Sequence, residues 1–79
     1  MKDEITAAQL RAARGLLNWS REQLAAHAGT TERTVARIEL EEGAPRTSTI
    51  AAIRTALESA GVEFIPENGG GPGVRLKRP

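Results

Sequence analysis

Residues 29–39 have the sequence GTTERTVARIE, in which apolar and charged residues recur at helical spacing. Val35 and Ile38 stand three positions apart, which is the spacing of one buried helix face. Thr31 is a good N-cap, so the stretch predicts a helix that begins directly after it. This helix leaves three charged side chains on its outer side: Glu32, Arg33 and Arg37. The pattern fits either a solvated surface helix or a helix that presents these side chains to a partner molecule.

The preceding stretch, SREQLAAHAG at residues 20–29, predicts a second helix directly before this one. Ser20 and Gln23 have the spacing of a capping box, and Leu24 lies on the inner face. Gly29 permits a positive backbone φ in the turn that follows. Two helices joined by about three residues, with glycine at the joint, are typical of a helix-turn-helix motif.

Two further helices are predicted at the flanks, over residues 6–17 and 47–60. Their inner faces are marked by apolar residues three or four positions apart: Leu10, Ala13 and Leu17 in one helix, and Ile50, Ile53 and Leu57 in the other. Asn18 tolerates the left-handed conformation needed after the first of them, and Gly61 stops the last. We therefore expect a helical unit over residues 1–61.

Residues 62–79 have a different pattern, with the apolar runs VEFI and GVRL on either side of PENGGGPG. Apolar and charged residues alternate in both runs, which predicts a β-hairpin. A two-stranded ribbon alone is marginal in water, so it must pack on the helices, pair with a second copy or stay partly disordered. We expect a dimerisation arm whose removal leaves a helical monomer. Its interface residues would be Val62, Phe64, Ile65, Val74 and Leu76.

Composition excludes several classes of function. The chain has 79 residues, no cysteine and one histidine, so it is one small domain without the ligands of a zinc site. It has no apolar run near the roughly 20 residues of a membrane span and no signal-peptide core, so we expect a cytoplasmic protein. The GGGPG at 69–73 lacks the lysine of a phosphate-binding loop and predicts a flexible turn. Since no nucleophile, base and orienting group occur together, we expect neither an enzyme nor a cofactor.

Net charge says little about a nucleic-acid partner, because it is only +1. The type of basic residue is more informative, since nine of the eleven are arginine, which makes forked contacts with phosphate and guanine. The position of each arginine therefore matters more than their number.

The stretch WSREQLAAHAGTTERTVARIE, residues 19–39, resembles the phage-repressor and Cro-like helix-turn-helix family of the XRE type. The family pattern is close to L-S-Q-x-E-L-A, three residues, G-V-S, three residues, I-x-x-I-E. Trp19 replaces the leucine, and the wider resemblance runs from about Leu10 to Gly61. It implies a mainly α, compact four- to five-helix repressor-type bundle, to which the pattern of residues 62–79 adds a C-terminal β-hairpin or strand extension. It also implies sequence-specific binding to double-stranded DNA by a transcriptional regulator, more often a repressor, acting as a homodimer on a short palindrome.

The resemblance also implies roles for single residues. Arg21 stands beside a phosphate or base, where the family usually has glutamine. The positions that reach base edges hold Glu32, Arg33 and Arg37, and the threonines placed for phosphate contacts are Thr31 and Thr34. Arg14 and Glu39 match a pair that bridges the first helix to the end of the third. Glu32 has an equally simple alternative role, which is to pair with a neighbouring arginine or to favour the helix N-terminus.

The loop after the third helix departs from the family pattern. It reads LEEGAPR, with Glu41, Glu42 and only Arg46 as compensation, where the family often has basic residues that touch the DNA backbone. Two other functions stay open for this reason. One is an antitoxin-type module that regulates its own synthesis and whose tail binds a toxin; the other is a domain that keeps the fold but contacts protein instead of DNA.

Overall fold

A computed structural model describes residues 5–77, which form four helices followed by a two-stranded hairpin. In chain order the elements are α1 (Ala7–Leu17), α2 (Arg21–Ala28), α3 (Glu32–Glu39), α4 (Thr47–Ser59), β1 (Val62–Ile65) and β2 (Gly73–Leu76). The predicted fold class, mainly α with a C-terminal hairpin, is confirmed, with four helices. The described residues contain no helix of the length and hydrophobicity needed to cross a bilayer.

Side-chain caps set where the first three helices begin. Thr6, Ser20 and Thr31 precede them, and each side-chain oxygen accepts from the backbone N–H three residues further on. Left-handed residues end the first two helices, Asn18 at φ 56° and Gly29 at φ 71°. These local signals fix the short turns on either side of α2 and therefore the placement of α3.

The core receives side chains from all four helices and from β1. Its buried apolar members are Leu10, Ala13, Leu24, Ala25, Val35, Ile53, Leu57, Val62 and Phe64. Trp19, Leu17 and Ile38 are partly buried and pack against it. The helices therefore do not form a closed unit without β1, since two of the nine core residues come from that strand.

The hairpin packs on its own helices. Val62 is paired with Leu76 in the antiparallel register, and Phe64 with Val74. The side-chain amide of Gln9 on α1 donates to two hairpin carbonyls, Ile65 O at 3.2 Å and Gly73 O at 2.9 Å. The hairpin is thus attached to α1 by hydrogen bonds as well as by apolar packing.

This packing bears on the expected dimer interface, which stays a prediction. Val62 and Phe64, 1% and 7% exposed, lie in the core of their own chain and not on its surface. The sequence pattern could not distinguish a hairpin that packs on its own helices from one that pairs with a second copy. Apolar and polar residues alternate along the strand in the same way whichever surface covers it. Ile65 and Val74 are half-buried, and Leu76 is 44% exposed.

Candidate nucleic-acid interface

α3 has one face in the core and the other in solvent. Val35 and Glu39 are buried, and Ile38 packs against the core from a half-buried position. Arg33 and Arg37 are exposed, and their spacing of four residues places them on one helix face. The packing of its inner face thus fixes α3, while the guanidinium groups of Arg33 and Arg37 remain exposed to solvent.

The buried end of α3 is held by an ion network around the Glu39 carboxylate, whose side chain is 0% exposed. Arg14 on α1 approaches it with two nitrogens, Nε to Oε2 at 2.6 Å and Nη2 to Oε1 at 3.0 Å. Arg21, the first residue of α2, donates from Nε to Oε1 at 3.0 Å. The network therefore joins three helices at one carboxylate.

Two backbone carbonyls complete the network. Arg14 Nη1 donates to Trp19 O at 2.8 Å, which fixes the segment between α1 and α2. Arg11 Nη1 donates to Glu39 O at 2.6 Å, at the carboxyl end of α3, where the helix dipole favours a positive charge. Within residues 5–77, no buried side-chain nitrogen or oxygen lacks a hydrogen-bond partner.

The Glu39 carboxyl remains ionised despite its position. Burial by itself raises the pKa of Glu39, but hydrogen bonds from Arg14 and Arg21, helped by their charges, outweigh burial and hold that pKa below its usual value. The hydrogen bond to Glu39 in turn raises the pKa of Arg14, against the effect of burial. The network therefore has two guanidinium charges on one carboxylate.

The second residue after α3 is left-handed although it is not glycine. Glu41 has φ 57°; its N–H donates to Ile38 O at 3.1 Å, and that of Glu42 donates to Arg37 O at 2.8 Å. This pattern is a Schellman motif, which usually has glycine at the left-handed position. It brings the side chains of Arg37 and Glu42 to the same end of the helix.

The two loop carboxylates face different surfaces. Glu42 lines a cavity of about 350 Å³ together with Thr34, Arg37 and Arg46. Glu41 lines a neighbouring groove whose walls include Ile5, Ile38 and Ile50. An added Cβ on Gly43 would lie 3.3 Å from Arg37 Nη2, so the Arg37 guanidinium lies against the loop in this structure. Only one of the two loop carboxylates therefore stands beside the arginines.

A family model described as helix-turn-helix matches residues 10–64, which is more than half of the chain. The chain belongs to the XRE-type helix-turn-helix family. That family consists of DNA-binding transcription regulators. The match includes α2, α3, α4 and most of β1, so the hairpin that completes the core lies partly inside it. No curated protein matches this sequence closely enough to count as a relative.

The helix-turn-helix motif places the predicted contact residues on adjoining elements. Arg21 begins α2, Glu32, Arg33 and Arg37 lie on α3, and Arg46 is the N-cap of α4. Thr31 is the N-cap of α3: its Oγ1 accepts from Thr34 N at 3.2 Å and lies 3.0 Å from Thr34 Oγ1. The role of each of these residues toward DNA stays a prediction.

Two members of the ion network do not follow from the sequence pattern. Arg11 carries no motif signal, although it stands three residues before Arg14 on α1, a spacing that places both on one side of the helix. The family resemblance assigns Arg21 to DNA alone, whereas its Nε binds Glu39. The replacement of the family's glutamine by arginine at this position is the signal that points to a second role.

Proposed function

We propose that this protein binds double-stranded DNA in a sequence-specific way and regulates transcription, most simply by covering a promoter and blocking polymerase. The observation that carries the proposal is the two-sided construction of α3. Its inner face is anchored by Val35 and Glu39, and its outer face presents Arg33 and Arg37. A helix held in this way can enter the major groove as a rigid element without losing its packing.

The outer arginines supply the sequence readout. The major groove is about 12 Å wide and admits one helix, and a guanidinium group makes a forked contact with guanine O6 and N7. Glu32, exposed in the first turn of α3, accepts from cytosine N4 if it faces a base edge, and otherwise favours the helix N-terminus.

Phosphate contacts fall to residues around α3. Arg21 and Arg46 begin or precede helices, and Thr31 and Thr34 lie at the start of α3. Such contacts fix the position of the protein on the duplex without carrying sequence information. Glu42 opposes them by its charge, because it lines the same cavity as Arg37 and Arg46. We therefore expect weak non-specific binding relative to a domain with a basic loop.

A homodimer on a palindromic site completes the proposal. The candidate interface residues that the core leaves available are Ile65, Val74 and Leu76, together with the outer strand edges of the hairpin. The half-site centres then lie one helical turn apart, about 10–10.5 base pairs. The same surface supports the second candidate, an antitoxin-type module, since the 44% exposed Leu76 is equally open to an unrelated protein.

Selection of bound sequences from a random duplex pool tests the proposal. We expect enrichment of a palindrome with guanine at fixed positions in each half. A variant that carries both Arg33→Ala and Arg37→Ala is the control and should enrich no defined sequence. If the wild-type protein enriches nothing beyond the starting pool, sequence-specific DNA binding is wrong for this chain.

A further inference from the structure

The Glu39 carboxylate accepts hydrogen bonds from two guanidinium groups, one cation more than it can neutralise. Arg14 uses all of its nitrogen groups inside the protein, two on Glu39 and one on Trp19 O. Arg21 uses Nε alone, and within residues 5–77 its two Nη groups have no protein acceptor. The Arg21 side chain is 34% exposed, against 20% for Arg14. Arg14 therefore neutralises the carboxylate, and Arg21 provides the surplus charge.

We propose that Glu39 is a positioning residue for DNA binding: it holds Arg21 by Nε so that the paired Nη groups at the outer end of the guanidinium receive a single backbone phosphate. This inference rests on the proposed DNA-binding function. Glu39 itself touches no DNA, because its side chain is 0% exposed. The phosphate supplies the second anion for the two guanidinium groups that contact the carboxylate.

The physical advantage is preorganisation. A free arginine side chain carries about 2 kcal/mol of rotamer entropy, part of which is lost when it binds a phosphate. Here the hydrogen bond to Glu39 has already restricted the side chain in the unbound protein. The first position of α2 adds the positive end of the helix dipole, which also favours an anion. A glutamine at this position could bind Glu39 or a phosphate but would bring no charge.

The network also links the packing of the helices to phosphate binding. Glu39 ends α3, Arg21 begins α2, and Arg14 lies on α1. The phosphate contact is therefore held at a fixed distance from the outer face of α3.

The test is a double-mutant cycle in DNA affinity, with wild type, Arg21→Gln, Glu39→Gln and the double variant titrated with the selected site at fixed salt. The sign of the Glu39→Gln effect decides between two explanations. Simple electrostatics predicts tighter binding, because the variant loses a negative charge. The positioning role predicts weaker binding, by about tenfold, which is about 1.4 kcal/mol. In the Arg21→Gln background the same substitution should have almost no effect.

Two controls separate positioning from folding. Circular dichroism at the binding temperature establishes that each variant is folded, and Glu58→Gln removes an exposed carboxylate from α4 and should not weaken binding. Arg21→Lys leaves the Arg14–Glu39 pair intact and keeps the charge, but an ammonium group lacks the fork, so we expect about a tenfold loss. The slope of log affinity against log salt should fall by about 0.9 for Arg21→Gln, which corresponds to one phosphate.

The outcomes distinguish this inference from the proposed function. If wild type binds its site and Arg21→Lys binds equally well, the positioning role is wrong while DNA binding stands. The positioning role is also wrong if folded Glu39→Gln binds more tightly, or if the two substitutions are additive. If wild type binds no DNA, the proposed function itself fails.

Discussion

Glu39 shows at the scale of one residue how this small fold depends on electrostatics. Its carboxylate is fully buried, and an unpaired charge in that position would destabilise the protein. Two guanidinium groups and the hydrogen bonds they donate offset the cost of burial. Removing the carboxylate would therefore destabilise the fold, because it would leave the two guanidinium groups without their anionic partner.

Glu39→Gln should lower the free energy of unfolding by roughly 3 kcal/mol at neutral pH, since breaking a buried pair costs about 3–5 kcal/mol and the arginines are partly hydrated. The pKa of Glu39 is lowered in the folded state, so its stabilisation is complete above the unfolded value of about 4.3 and is lost as the pH falls through the folded pKa. The gap between wild type and variant should therefore stay constant from pH 7 to 5 and narrow below about pH 4. Thermal melts between pH 3 and 7 measure it; a gap as wide at pH 3 as at pH 7 contradicts the role given to the ionised carboxylate.

Glu41 affects stability through its left-handed backbone conformation. A side chain at φ 57° is strained, and glycine would relieve that strain at the end of α3. We expect Glu41→Gly to raise stability by about 0.5–1 kcal/mol, which is several degrees in melting temperature for a domain of this size. Glu42→Gly is the matched control, because it removes the same charge without relieving strain, and it should not stabilise. Equal shifts in both variants would mean that charge, not backbone strain, is responsible.

At the scale of elements, the sequence predicts most of what is local. Helix starts at Ser20 and Thr31, the left-handed Asn18 and the turn at Gly29 all follow from capping and turn chemistry between near neighbours. The Arg14–Glu39 contact follows only from family resemblance, since nothing in local spacing brings residues 25 positions apart together. The surface covered by the hairpin could not be predicted, because it depends on Gln9, 56 residues away from Ile65.

Gln9 connects two elements through one side chain. Its Oε1 accepts from Thr6 N in the α1 capping box, while its Nε2 donates to the hairpin. Glutamate at this position keeps the capping acceptor but places a carboxylate against two carbonyls, so Gln9→Glu should cost about 1–3 kcal/mol. Relative to wild type, hydrogen exchange in the Gln9→Glu variant should accelerate more in β1 and β2 than in α1.

Gln23 offers a matched control for that prediction. It forms the same capping box at the start of α2, but it is exposed and its capping partner is Ser20. Gln23→Glu should therefore change stability by only a few tenths of a kcal/mol. If Gln9→Glu is as harmless as Gln23→Glu, the amide bonds to the hairpin do not contribute to the attachment.

At the scale of the whole molecule, the hairpin is part of the folded core. The division at residue 61 separates two types of secondary structure, but Val62 and Phe64 lie across it in the core. Removing residues 62–79 would delete both side chains and expose the apolar surfaces of α1 and α4. Loss of the buried Phe64 side chain should cost about 3–5 kcal/mol of stability, and loss of Val62 should cost less. Both are large for a domain this small.

We therefore expect the truncated chain to lose cooperative unfolding, in contrast to the helical monomer that the sequence pattern alone indicates. Circular dichroism during a thermal melt measures this directly. The control is a chain shortened only beyond Lys77, which should melt like the full-length protein. A sharp transition for the chain ending at residue 61, close to that of the full-length protein, would show that the helices fold without the hairpin.

A binding titration of single variants tests whether Arg33 and Arg37 on α3 read DNA sequence. Arg33→Ala and Arg37→Ala are each titrated at one salt concentration with the selected site and with a scrambled duplex of the same composition. We expect each variant to lose about 1–3 kcal/mol of affinity for the selected site and much less for the scrambled duplex. Equal losses on both duplexes would mean that these arginines only hold the phosphate backbone, and the assignment of sequence readout to α3 would be wrong.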